Sequence, residues 1–183
     1  MAEANQAFEH GDANRLAKIL EESSLRPEPP EGTTTDTDLL RAIRKITLRA
    51  RLHVTFLERF ESERMKSGRT LLAEQLLTAG PFNQVAIVEF FDEMHTFLHD
   101  SYLDEDLLWS SFGFSATRWW NVCKNYIYEE RTRRNDPTLF GGFQDLSVRF
   151  TKRNELAGFK EPGTAELTAF LESERKRTVR EGL

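Results

Sequence analysis

Residues 83–99 read NQVAIVEFFDEMHTFLH. Asn83 offers a side chain that can cap a helix, and Ile87, Phe90, Phe91, Met94, Phe97 and Leu98 follow at helical spacing. On an α-helix these residues cover a wide arc, the pattern of a helix enclosed on more than one side. The stretch is expected to run as one helix to about His99 and to sit at the centre of the core.

Upstream, the spacing predicts a helix from Thr70 to Ala79, ended by Gly80-Pro81. Before it, a long helix is expected to start near Thr35 or Asp36. Leu39, Ile43, Ile46, Ala50, Val54 and Leu57 form its apolar repeat. The pattern continues through Phe56 and Phe60 until Ser67 and Gly68 interrupt it. At the start of the chain, Asp12 can cap a helix to Ser23 with Leu16, Ile19 and Leu20 on one stripe. Pro27, Pro29, Pro30, Gly32 and the threonines at 33–35 then read as a semi-rigid linker.

Downstream, Asp104, Glu105 and Asp106 suit the positive end of a short helix to Phe112, which Gly113 is expected to break. A helix from about Ser115 carries Trp119, Trp120, Cys123, Tyr126 and Ile127. It ends in Arg131, Arg133 and Arg134, cations placed where the helix dipole favours them. Asp136-Pro137 reads as the cap and first position of another helix, with Leu139, Phe140, Phe143, Leu146 and Phe150 on its apolar side. Gly141-Gly142 weaken that helix or allow a close backbone approach. Thr164 can cap a last helix through Arg177, with Leu167, Phe170 and Leu171 apolar and a basic tail of Arg175, Lys176, Arg177 and Arg180.

Nothing alternates with period two over a useful length, so no sheet is expected. The fold class is all-α, an irregular bundle of about six to eight helices. Residues 1–35 are read as an N-terminal helix and linker, 36–153 as the bundle core, and 154–183 as a C-terminal helix and basic tail. Composition agrees. The 183 residues include 22 Leu and 14 Phe against 6 Val and 5 Ile, and β-branched residues are the ones that favour strands.

The net charge of −5 conceals an uneven distribution. Residues 1–40 carry −6, 41–70 carry +6, 71–110 carry −8 and 111–183 carry +3. A basic block beside an acidic one suggests complementary surfaces, within one chain or between copies. No apolar run reaches the length of a transmembrane helix, and the first residues lack a secretory core. A single cysteine, Cys123, leaves no internal disulfide framework. A bacterial cytoplasm is the compartment expected.

Residues 71 to about 153 resemble a bacterial all-helical domain family of unknown function, usually found after an N-terminal membrane helix. Three stretches carry the resemblance. The first is Phe90-Phe91 with Tyr102 to Leu107 and Phe112-Gly113. The second is Arg118-Trp119-Trp120. The third runs from Arg131 to Pro137 and continues as Leu139-Phe140 and Phe143 to Leu146. The resemblance implies a helical domain and supplies no catalytic residues. A polar N-terminal region and a basic helix stand here in place of the membrane helix.

His95 and His99 share one helix face with Asp92, which makes them candidate metal ligands. Zinc needs further ligands, and no second His or Cys pair supplies them. No metalloprotease His-Glu-x-x-His, no phosphate-binding glycine loop, no dinucleotide turn and no nucleophile elbow is present. The Arg-to-His spacing of helical ribonucleases is also missing. Cys123 lies on an apolar stripe and reads as a buried inert thiol. Trp119 and Trp120 point about 100° apart on a helix, so one is expected in the core and the other on a partner surface.

The chain is therefore expected to be a non-enzymatic protein-protein interaction or assembly module without a cofactor, self-associating or bound to another protein. Its expected anion- or partner-binding residues are Arg41, Arg44, Lys45, Arg49 and Arg51, with Arg131, Arg133 and Arg134 as a second group. The expected acidic docking face is Asp92, Glu93, Asp100, Asp104, Glu105 and Asp106. The alternatives are a nucleic-acid or anionic-membrane module using residues 41–51, and a metal-dependent or degenerate-site hydrolase around His95 and His99. A compact bacterial protein of this kind also fits phage defence or its counteraction.

Overall fold

The computed structural model describes residues 34–80 and 85–177. The expected helix from Asp12 to Ser23, most of the proline linker, the Asn83 cap and Arg180 lie outside them. The chain divides into two units, Met1–Thr47 and Leu48–Leu183. The described part of the first unit is the beginning of helix α1, Thr34–Glu61, which continues into the second. The second unit adds α2 (Glu63–Leu77), α3 (Ala86–His99), α4 (Glu105–Arg134), α5 (Gly141–Leu156) and α6 (Thr164–Arg177). There is no strand among the described residues, and the fold is the all-α bundle that the leucine and phenylalanine spacing implies.

Helix α3 is the centre of the second unit. Ile87, Val88, Phe90, Phe91, Met94, Phe97 and Leu98 are all buried, as the wide arc requires. Helix α5 packs on α3 and α4, and α2 packs on α6. Phe90 has Phe56, Phe60, Phe91 and Phe112 around it, with centroids 5.2–5.9 Å away. Phe91 stacks on Phe143 at 5.0 Å, and Phe143 meets Trp120 edge-on. Each aromatic pair adds about 0.5–1.5 kcal/mol beyond its burial.

Three boundaries differ from the sequence reading. The break after α1 falls at Ser62, whose Oγ accepts from the Met65 N–H at 3.3 Å. Ser67 and Gly68 run on inside α2, because a capping serine stops a helix more firmly than one glycine costing about 1 kcal/mol. Gly113 does not break α4 either. A Cβ there would stand 2.7 Å from the Trp109 ring, so the glycine makes room for that indole one turn earlier. Asp136-Pro137 does not open α5. Asp136 Oδ1 accepts from the Thr138 N–H and hydroxyl in a tight turn, and the helix begins at Gly141 after Phe140 in a left-handed conformation.

Both tryptophans are interior, which corrects the expectation that one marks a partner surface. Trp119 packs edge-on against Phe170 of α6, and Trp120 against Phe143 of α5. Two helices flank α4, so side chains 100° apart each find a neighbour. Helix α6 is fastened by a buried ion pair. Arg69 Nε donates to Glu174 Oε2 at 2.9 Å, and Arg69 Nη1 donates to the Phe60 carbonyl at 2.5 Å. Its guanidinium lies 4.0 Å from the Phe60 ring centroid.

Candidate functional site

In the first unit, Leu39, Ile43 and Ile46 follow one another four and three residues apart, so they share one side of α1, with Leu40 at its edge. That side faces solvent. Leu39 is 60% exposed, Leu40 54%, Ile43 49% and Ile46 66%. Arg41, Arg44 and Lys45 are exposed too. By helical rotation, Arg44 and Lys45 stand about 130° to either side of the stripe, and Arg41 nearly opposite it. Asp38 is paired with Arg41 at 3.5 Å.

The second-unit stretch of α1, Leu48–Glu61, is anchored differently. Leu52, His53, Phe56 and Phe60 are its buried residues, while Ala50, Val54 and Leu57 are exposed. Arg49 donates from Nε and Nη2 to the Ser101 carbonyl, at 3.2 and 2.9 Å. Arg51 is exposed. The apolar repeat that locates the helix is thus largely its outer side. Helical periodicity identifies an amphipathic face without saying what covers it.

The second basic group is occupied within the chain. Arg131 donates to the Leu139 carbonyl at 2.8 Å and to Gln144 Oε1 at 2.7 Å, holding the turn between α4 and α5. Arg133 and Arg134 both bond Glu130, at 2.5 and 2.9 Å, and hold its carboxyl well below the usual range. These three arginines therefore serve the end of α4.

The acidic face is also engaged, three of its six residues with arginines outside the expected partners. Glu93 pairs with Arg59 at 2.5 Å, a contact between the basic block 41–70 and the acidic block 71–110. Glu105 pairs with Arg149 at 3.2 Å, and Asp106 with Arg153. Asp104 caps α4 through the Leu107 N–H, and Asp100 bonds the neighbouring His99. Asp92 Oδ1 accepts from the Phe143 N–H at the start of α5.

Among the described residues, no group of three His, Cys, Asp or Glu side chains is placed to hold a metal. The His95 and His99 rings lie 6.2 Å apart. Asp92 is turned to the α5 backbone, and Asp145 approaches His95 only to 4.0 Å.

His53 and Ser111 form a pair that the sequence spacing did not reveal, with Nε2 and Oγ 3.1 Å apart. Burial lowers the His53 pKa, and its buried Nδ1 has no hydrogen-bond partner among the described residues. A serine nucleophile needs its histidine oriented by a third group at that nitrogen. The pair is better read as a neutral core-edge histidine that a surface hydroxyl satisfies. Cys123 is fully buried, which pushes its thiol pKa up and leaves it protonated.

No helix among the described residues is long and apolar enough to cross a membrane. No curated protein and no solved structure matches the chain. One family model does match, over residues 32–150. The match is wider than the resemblance at 71–153 and takes in all of α1, so the basic helix is part of the domain and not an addition before it. The chain belongs to the family described as a domain of unknown function, DUF4760.

Proposed function

We propose that the chain is a non-enzymatic helical interaction module whose docking element is the first-unit stretch of α1. One observation carries this reading: Leu39, Leu40, Ile43 and Ile46 present a contiguous apolar side to solvent on a stretch whose other side is basic. Single exposed leucines are ordinary, whereas grouped apolar residues rimmed by charge mark interaction surfaces. The acidic residues and the arginines at 131, 133 and 134 have contacts inside the chain, so the reading rests on the grouped apolar and basic residues of α1. The hydrolase alternative is not favoured by His95 and His99, because their neighbour Asp92 is bonded to the start of α5 and Asp145 approaches His95 only to 4.0 Å.

A photoreactive side chain in place of Ile43 tests this, with the exposed Glu129 on α4 as the control position. Adducts concentrated at position 43 are expected, whether to a second copy, another protein or lipid. Equal labelling at the two positions would count against a docking role for α1.

A further inference from the structure

Resting on that reading, we infer that the occupant of the α1 face is an anionic lipid surface. The polar side of residues 38–47 is nearly of one sign: Arg41, Arg44 and Lys45 against Asp38 alone. A helix with an apolar stripe and a basic polar side lies in the plane of a membrane interface, its stripe sunk to the boundary between headgroups and acyl chains. Arg44 and Lys45 stand about 130° to either side of the stripe, beyond Thr47 and Ala42. From there their long side chains reach back down to lipid phosphates while their stems cover apolar surface. Leu39, Ile43 and Ile46 supply the insertion, and Arg44 and Lys45 supply the preference for negative headgroups.

The same residues fit other occupants less well. A second copy docked stripe to stripe would set two basic stretches side by side. Helix pairs that favour such a seam carry opposite charges on its flanks, where this one has Ala42 and Thr47. A nucleic acid would use the cations but leave Ile43 and Ile46 idle, since phosphate recognition does not call for an apolar stripe.

The test is flotation of the full chain with phosphatidylcholine vesicles, with and without phosphatidylglycerol, at about 0.1 M and 0.5 M salt. Retention is expected on the phosphatidylglycerol vesicles at the lower salt and is expected to fall at the higher. Arg44→Glu with Lys45→Glu, and separately Ile43→Asp with Ile46→Asp, should each lower the retained fraction about tenfold or more. Circular dichroism checks that both variants keep the helical content of the parent. No retention on the anionic vesicles overturns the proposal, as does retention that the isoleucine variant leaves unchanged. Binding to polyuridine that depends on Arg44 and Lys45 alone, without vesicle retention, also overturns it. Association seen by light scattering and lost in the isoleucine variant, again without vesicle retention, overturns the lipid and leaves the interaction reading standing. No association of any kind removes both.

Discussion

Asp92 Oδ1 on α3 accepts a hydrogen bond from the Phe143 N–H on α5 at 2.9 Å, so one helix caps another across the core. Phe140, at the cap position of α5, has no side-chain oxygen to offer, and the first N–H groups of α5 would otherwise lack a side-chain acceptor. A carboxylate at that end also meets the positive pole of the helix dipole. The approach depends on Gly142, where a Cβ would stand 3.0 Å from Asp92 Oδ1, 3.1 Å from the Asp92 carbonyl oxygen and 2.9 Å from His95 Nδ1.

Asp92→Ala should therefore cost about 1 kcal/mol of stability, within the 0.5–2 kcal/mol range of lost caps. Gly142→Ala should also destabilise, against the usual gain of replacing a helical glycine, because two of the crowding atoms belong to a fixed backbone and a bonded carboxylate. Urea unfolding of the two variants and the parent measures both. A Gly142→Ala protein more stable than the parent would contradict the close approach.

The Arg69–Glu174 pair predicts a larger effect. Both residues are almost wholly buried, and removal of one leaves the other charged and desolvated. Arg69→Met alone should cost about 3–5 kcal/mol, and Arg69→Met with Glu174→Leu should recover much of it. The double-mutant cycle from thermal or urea unfolding reads the coupling. Independent, additive losses would show that the ion pair does not fasten α6 to α2.

Much of the fold was legible. Phe90, Phe91, Met94 and Phe97 at helical spacing mark α3 as central, and the last helix ends at Arg177 as expected, with Thr164 its first residue rather than its cap. The errors lie where a short-range signal meets a tertiary contact. Gly113 looks like a break until Trp109 is seen lying over it, and one of Trp119 and Trp120 looks like a surface residue until α6 and α5 are seen to cover both. The candidate site was half legible. Arg41, Arg44 and Lys45 could be found by charge, but the exposure of Leu39, Ile43 and Ile46 could not, because an apolar stripe reads the same whether or not a neighbour covers it. Nothing in the spacing tied Asp92 to Phe143 or Arg69 to Glu174, contacts separated by 51 and 105 residues.

His53 and His95 set a pH dependence. Burial is the largest cause lowering both pKa values below the ordinary 6.5. The unfolded chain then binds protons that the folded chain refuses. The contribution of these histidines is complete above about pH 6.5 and is lost as pH falls below it toward the folded values. Melting temperature should drop between about pH 7 and pH 5, and His53→Gln should flatten part of that slope. An unchanged slope in the variant would show that His53 titrates in the folded chain as it does in the unfolded one.

Cys123 should resist thiol reagents in the native protein. It is buried in α4, and desolvation raises its pKa, so little thiolate forms near neutrality. Reaction with a chromogenic disulfide should wait for unfolding and follow the denaturant transition. Prompt labelling under native conditions would place the thiol at the surface.

The contrast between the two faces of α1 gives a stability test that is independent of any partner. Ile43 and Ile46 are 49% and 66% exposed, whereas Phe56 is fully buried among Phe90 and Phe97. Ile43→Asp with Ile46→Asp should shift the unfolding free energy by no more than about 0.5 kcal/mol per site, the usual range for surface substitutions. Phe56→Ala should cost about 3–5 kcal/mol, because it removes a large apolar side chain and leaves a cavity. Parallel urea titrations of the two variants read both quantities. If the isoleucine variant loses as much stability as the phenylalanine variant, the stripe is covered within the folded chain and is not free to dock on anything else. If it loses almost nothing, the free energy available from burying those side chains has yet to be used by folding and remains available for binding.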